Sequence, residues 1–120
     1  MNYTDDPAPQ AHEVVAYMRT ASGAQKDIRS GLKRQRERCE AIARKLGVKI
    51  AICYVDTGVS GLSPSRPALD ALFDDLDWNR TRYVIAADRA RLARNAALEA
   101  SLERQIAYTG AQLVTGERAI

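Results

Sequence analysis

Four short apolar runs alternate with stretches of helical spacing along this chain. Val14-Val15-Ala16-Tyr17-Met18 is apolar throughout, as expected of a strand buried on both faces. Thr20 to Arg29 is polar and glycine-containing and reads as a loop. From about Ser30, the residues Leu32, Cys39, Ile42, Ala43 and Leu46 recur at three- and four-residue steps, which predicts an amphipathic helix ended by Gly47. Ile50 to Val55 reads as a second strand and Asp56 to Ser65 as its following loop. Pro67 suits a first helical turn, where its missing N–H has no partner to lose, and Leu69, Leu72, Phe73 and Leu76 then share a face. Tyr83 to Ala87 is a third strand. Leu98, Leu102 and Ile106 mark a helix from about Arg94 to Gly110, and Gln112-Leu113-Val114 is a fourth strand. The order β-α-β-α-β-α-β predicts an α/β fold in three layers: a central, mostly parallel four-stranded sheet with helices on both faces. Residues 1–12 carry two prolines, two aspartates and no periodicity, and read as a flexible tail before a domain spanning 13–120.

Composition narrows the class. A chain of 120 residues suits one domain with one core. The net charge of +3 is compatible with nucleic acid without pointing to it, but its distribution says more. Residues 80–94 hold Arg80, Arg82, Arg89, Arg91 and Arg94 against one acid, Asp88. A charge run is often only a solvated face, but this one crosses a strand end. Cys39 and Cys53 have neither staple nor metal spacing, and both read as buried thiols. The lone His12 lies in the leader, so no histidine-based metal site or triad is expected, and no cofactor. No apolar stretch approaches the length of a membrane span and no signal pattern opens the chain, so the expected location is the cytoplasm.

The chemistry lies at the strand ends. Tyr17-Met18-Arg19-Thr20-Ala21-Ser22 closes the first run, Asp56-Thr57-Gly58-Val59-Ser60-Gly61 the second, with Arg66-Pro67 shortly after, and Arg89-Ala90-Arg91-Leu92-Ala93-Arg94 follows the third. In an open α/β sheet the loops at the carboxyl ends of strands share one edge, where ligands bind. Guanidinium forks match phosphate geometry and keep their charge, so arginines and hydroxyls gathered there suggest a phosphate-handling site. Arg91 and Arg94, three apart on an expected helix start, would share a face. Gln35 falls on the apolar stripe of the first helix and needs a polar partner there.

These motifs resemble the catalytic domain of the serine recombinases, the resolvase and invertase family, from about Val14 to Val114. Tyr17 and Arg19 fit the family's Tyr-x-Arg-x-Ser, and Gln35 its first-helix glutamine. Asp56, Ser60, Gly61, Arg66 and Pro67 fit its Asp-x-x-x-Ser-Gly and Arg-Pro. Arg91, Leu92 and Arg94 fit its Asp-Arg-Leu-x-Arg. Two positions depart: Ala21 stands where the family has its nucleophilic serine, with Ser22 one place on, and Ala90 replaces the aspartate, with Asp88 two places earlier.

The resemblance implies a phosphoryl transfer on DNA through a phosphoserine link, without metal. Arg19, Gln35, Arg66, Arg91 and Arg94 would form the site, with Ser22 either the substitute nucleophile or a plain loop serine. Arg19, Arg66, Arg89, Arg91 and Arg94 would contact DNA, and Asp56, Ser60 and Gly61 would shape the loop, Asp56 by bonding backbone N–H groups within it. It also implies a dimer or tetramer in the active complex, weak or monomeric association of this piece alone, and a long helix and DNA-binding domain that this chain lacks. Ala21 and Ala90 keep a second expectation open: a degenerate domain that no longer cuts and serves in oligomerisation or regulation.

Overall fold

The computed structural model describes residues 13–58, 66–78 and 80–116. Strand β1 (Val14–Thr20) is followed by α1 (Gln25–Leu46), β2 (Ile52–Thr57), α2 (Pro67–Trp78), β3 (Tyr83–Ala86), a 3-10 turn at Arg89–Arg91, α3 (Ala96–Tyr108) and β4 (Gln112–Thr115). The sheet order is β2-β1-β3-β4 and every pairing is parallel. Ala16 stands opposite Cys53 on one side and Ile85 on the other.

Alternation along the strands divides the core in two. Val14, Ala16, Ile85 and Val114 face α1, where they meet Cys39, Ile42 and Ala43. Val15, Tyr17, Val84 and Leu113 face the opposite layer, built by Leu69, Leu72 and Leu76 of α2 and Leu102 and Ile106 of α3. Burying a leucine such as Leu72 stabilises by roughly 1.5–3 kcal/mol. Three layers with one helix on one face and two on the other are thus dictated by the apolar pattern. Gly47 and Gly110 end α1 and α3 with φ of 75° and 95°, a conformation that costs glycine little.

The strand order reverses at β1. The crossover through α1 leads to β2 on one side, and the crossover through α2 returns past β1 to β3 on the other. The carboxyl ends of β1 and β3 therefore form a topological switch point, the crevice where open α/β sheets bind ligands.

Several boundaries differ from the sequence reading. Helix α1 begins at Gln25, inside the expected loop, because Gln25, Lys26 and Asp27 are exposed and Ile28 alone marks the apolar stripe in its first turn, while Asp27 suits its positive end. Strand β1 continues through Arg19 and Thr20, both buried, and β2 through Asp56 and Thr57. Leu98 is exposed at the start of α3 rather than part of its buried face, and Cys53 is only half-buried, since β2 is an edge strand. Arg91 and Arg94 do not share a helix: Arg91 closes the 3-10 turn and Arg94 precedes Asn95, whose side chain caps α3 through Leu98 N–H at 3.0 Å. Ser60 and Gly61, the tail at 1–12 and residues 117–120 lie outside the described residues.

Candidate active site

The buried polar groups at the switch point form one connected set. Tyr17, at 0% exposure, donates its hydroxyl to Asp56 Oδ2 at 2.8 Å. Asp56 also accepts from the N–H groups of Ala68 and Leu69, at 2.9 and 3.1 Å, so its carboxylate caps the amino end of α2. Those donors lie beyond the loop that Asp56 was expected to shape from within. The Tyr17 hydroxyl in turn accepts from Arg66 Nη2 at 3.1 Å, and the Arg66 guanidinium stands 5.3 Å from the ring centroid. Burial pushes the Tyr17 phenol up to about 12; Arg66 opposes that rise and Asp56 adds to it.

Arg19 and Arg66 both turn inward to the backbone of residues 90–92. Arg19 Nε and Nη2 donate to the carbonyls of Arg91 and Ala90 at 3.1 and 2.9 Å. Arg66 Nη2 donates to Arg91 O at 2.8 Å, and its Nη1 to Leu92 O. The end of a helical turn leaves carbonyls without intrahelical partners, and two buried guanidiniums need acceptors. Each requirement meets the other here. Burial lowers the Arg19 pKa, and the nearby positive charges of Arg66, Arg91 and Arg94 push the same way.

Gln35, on the buried face of α1, completes the edge of β1. Its Oε1 accepts from Arg19 N–H at 3.1 Å and its Nε2 donates to Arg19 O at 2.9 Å. Pairing of β1 with β3 stops at Tyr17 opposite Ala86, so the Gln35 amide takes the place of the next strand residue. Arg91 Nη1 reaches the same Arg19 carbonyl at 3.4 Å.

On the α1 side of this edge lies an open cavity of about 300 Å³, lined among others by Thr20, Ala21, Ser22, Gln35, Asp88 and Arg91. Strand alternation explains its membership. Arg19 shares the face of Tyr17, toward α2, whereas Thr20 points toward α1. Ser22 is exposed, and a Cβ placed at Gly58, which has φ of 70°, would lie 3.9 Å from Ser22 Oγ. Ser22 thus sits between the loop after β1 and the end of β2. Arg91 Nε stands 3.5 Å from Asp88 Oδ1, an ion pair without a hydrogen bond. Thr20 Oγ1, Asp88 Oδ1 and Arg91 Nε are buried and make no hydrogen bond among the described residues.

The expected residues are therefore gathered in space but divided in task. Arg91 lines the cavity with Ser22, while Arg19 and Arg66 do not line it and hold backbone instead. Arg94 is exposed and outside the cavity lining. Arg89 is turned onto α3, paired with Glu99 and with Glu103 at 2.7 Å. Sequence reasoning did not select Tyr17 as a linking group, though its place in the first motif and its burial in the apolar run were both visible. Among the described residues no cluster of three or more His, Cys, Asp or Glu is placed to hold a metal ion, and no helix is long and apolar enough to cross a membrane.

A parallel four-stranded sheet between helical layers, with arginines gathered at its switch point, defines a class of small open α/β domain whose strand ends form the ligand-binding edge. The chain belongs to the resolvase family: the family described as Resolvase, N terminal domain, matches residues 14–119. It is thereby a serine recombinase domain, tied to site-specific recombination in general. Solved structures agree. The N-terminal catalytic domain of TP901-1 integrase superposes with a TM-score of 0.79 at 22% identity, covering 89% of this chain and 79% of that one. A resolvase family site-specific recombinase from Streptococcus pneumoniae gives 0.73 at 26% identity, covering 89% and 73%. The C-terminal catalytic domain of IS1535 TnpA, an IS607-like serine recombinase, gives 0.64 at 33% identity, covering 85% and 69%. No match is found among curated proteins.

Proposed function

We propose that this domain cleaves and exchanges DNA strands, with Ser22 as the nucleophile. The observation that carries this reading is the cavity at the switch point, where Ser22 lies with Arg91 and Gln35. Ser22 Oγ attacks a backbone phosphorus, the Oγ–P bond forms and the bond to the 3′ oxygen breaks. The 3′ oxygen takes up a proton, and the serine proton passes toward the carboxylates on the same cavity wall, Asp27 and Asp88. Guanidinium groups meet the charge that develops on the phosphoryl oxygens, the kind of electrostatic stabilisation on which phosphoryl transfer rests. Arg91 shares the cavity wall with Ser22, and Arg94 is exposed. Arg19 and Arg66 act indirectly by holding the backbone that carries Arg91. The reading places the protein in the cytoplasm with DNA as partner and a dimer or tetramer as the working assembly.

A second reading, a domain that assembles without cutting, is favoured by two observations. Ala21 stands at the family's serine position, and Arg19 and Arg66 are already committed to carbonyls 90–92. The two readings separate in one assay. The protein is incubated with nicked DNA substrates, and covalent adducts are mapped by peptide mass spectrometry. An adduct at Ser22, lost in Ser22→Ala and kept in Thr20→Val, supports cleavage. An adduct that persists in Ser22→Ala refutes the Ser22 assignment. Cleavage gained only in Ala21→Ser establishes the second reading.

A further inference from the structure

We propose that α1 supplies a second phosphate-binding pair, Arg34 and Arg38, at the rim of the switch-point cavity. This rests on the DNA reading above and adds to it a second point of grip on the nucleic-acid backbone. Both residues line the same cavity as Ser22 and Arg91. They are four apart on one helix, so their side chains are neighbours, near enough to embrace one phosphate between them. Both are exposed, and neither makes an ion pair or hydrogen bond among the described residues. Arg38 is not simply extended into water: its Nη2 lies 3.0 Å from where a Cβ at Gly116 would stand, so it leans over the end of β4 onto the sheet edge.

Two neighbouring basic residues of α1 are engaged elsewhere. Lys33 pairs with Glu37 at 3.8 Å, and Arg36 points to Cys53 Sγ at 3.8 Å on the far edge. What sets Arg34 and Arg38 apart from every other basic residue of α1 is that they line the cavity. The charges around the cavity favour an anion. Arg34, Arg38 and Arg91 face Asp27 and Asp88, and Asp88 is already engaged by Arg91. Between them, Thr20 Oγ1 is buried and without a hydrogen-bond partner, a hydroxyl donor for a phosphate oxygen. The ligand class is a phosphodiester backbone, contacted through phosphate and so without base preference.

The test is the salt dependence of DNA binding by the whole chain, read by fluorescence anisotropy of a labelled duplex between about 50 and 200 mM salt. Each phosphate contact contributes about 0.9 to the slope of log K against log salt. Arg34→Gln combined with Arg38→Gln should reduce that slope by about 1. Lys33→Gln, off the cavity, should leave it unchanged. An unchanged slope in the double variant, with Arg91→Gln still lowering it, overturns the pair and leaves the DNA reading standing. An equal loss in Lys33→Gln also overturns it, since the effect is then the general field of the helix. Wild-type protein without salt-dependent binding overturns both. Circular dichroism melts confirm that the exposed substitutions leave the fold intact.

Discussion

Replacing Asp56 by alanine removes the acceptor of three hydrogen bonds at once. The carboxylate is buried, at 5% exposure, and holds Tyr17 Oη, Ala68 N–H and Leu69 N–H. Losing the acceptor at a helix start costs about 1 kcal/mol. A buried hydroxyl deprived of a charged partner adds about 1–3 kcal/mol. The sum, about 3 kcal/mol, is a large part of the roughly 5–15 kcal/mol that holds a domain together. For a chain of this size that corresponds to a fall in Tm on the order of 10 °C. Asp56→Asn keeps one oxygen as acceptor and should lose about half as much. Thermal and urea melts of Asp56→Ala, Tyr17→Phe and the double variant check the reasoning. Tyr17 and Asp56 share a hydrogen bond, so the double variant should fall short of the sum by about 1 kcal/mol. Strict additivity would refute the Tyr17–Asp56 coupling, and a loss below about 0.5 kcal/mol in Asp56→Ala would refute the capping role.

Three further outcomes are expected. Gly116→Ala should destabilise measurably in a urea melt, because its Cβ would come within 2.6 Å of Ala87 O, a backbone atom that cannot step aside. Cys53 should react with iodoacetamide in the native protein while Cys39 does not; Cys39 is 1% exposed and burial pushes its thiol up to about 12, and equal labelling of both would contradict this. Stability should fall as pH rises from about 10 through about 12: an unfolded tyrosine ionises near 10, whereas folded Tyr17 keeps its proton to about 12, so the unfolded state holds fewer protons, and Tyr17→Phe should flatten that loss in pH-dependent melts.

The layers and the order of elements along the chain were largely legible because apolar runs and three-four spacing report burial directly, whereas the order β2-β1-β3-β4 across the sheet was not read from the sequence. The amino end of α1 was not, since Gln25, Lys26 and Asp27 lie beyond the sheet and bury nothing. The extension of β1 through Arg19 was hidden for a different reason. A buried arginine is disfavoured on composition alone, and here it is tolerated because carbonyls 90 and 91 accept its donors. The same acceptors explain why a cluster of arginines readable in sequence did not become one open pocket. Sequence marks where arginines fall along the chain, but side-chain direction depends on strand parity and on which carbonyls a turn leaves unbonded. Arg89 shows the limit most simply: its partners Glu99 and Glu103 lie on the next helix, and their approach depends on how α3 packs.

The arginines at this edge therefore fall into two populations with different consequences. Arg19 and Arg66, at 2% and 4% exposure, are built into the fold, and each donates to backbone or to Tyr17. Their removal leaves buried acceptors unpaired and should lower stability before it changes any affinity for an anion. Arg34, Arg38 and Arg94 are exposed, so their removal should act on anion affinity and its salt dependence with little effect on stability. Arg91 bridges the groups: its carbonyl is held by Arg19 and Arg66, while its side chain lines the cavity beside Ser22. A movement of the turn that carries Arg91 would draw on the bonds of both buried arginines together. The Tyr17–Asp56–Arg66 chain links that turn to the amino end of α2, next to the segment that follows β2. On the proposed reading, a phosphate bound at the cavity would be joined to the packing of α2 through hydrogen bonds that can be cut one at a time, at Tyr17, Asp56 or Arg66. A loss of Arg91-dependent salt sensitivity in Tyr17→Phe, with the fold intact, is the signature that this chain transmits position and not only stability.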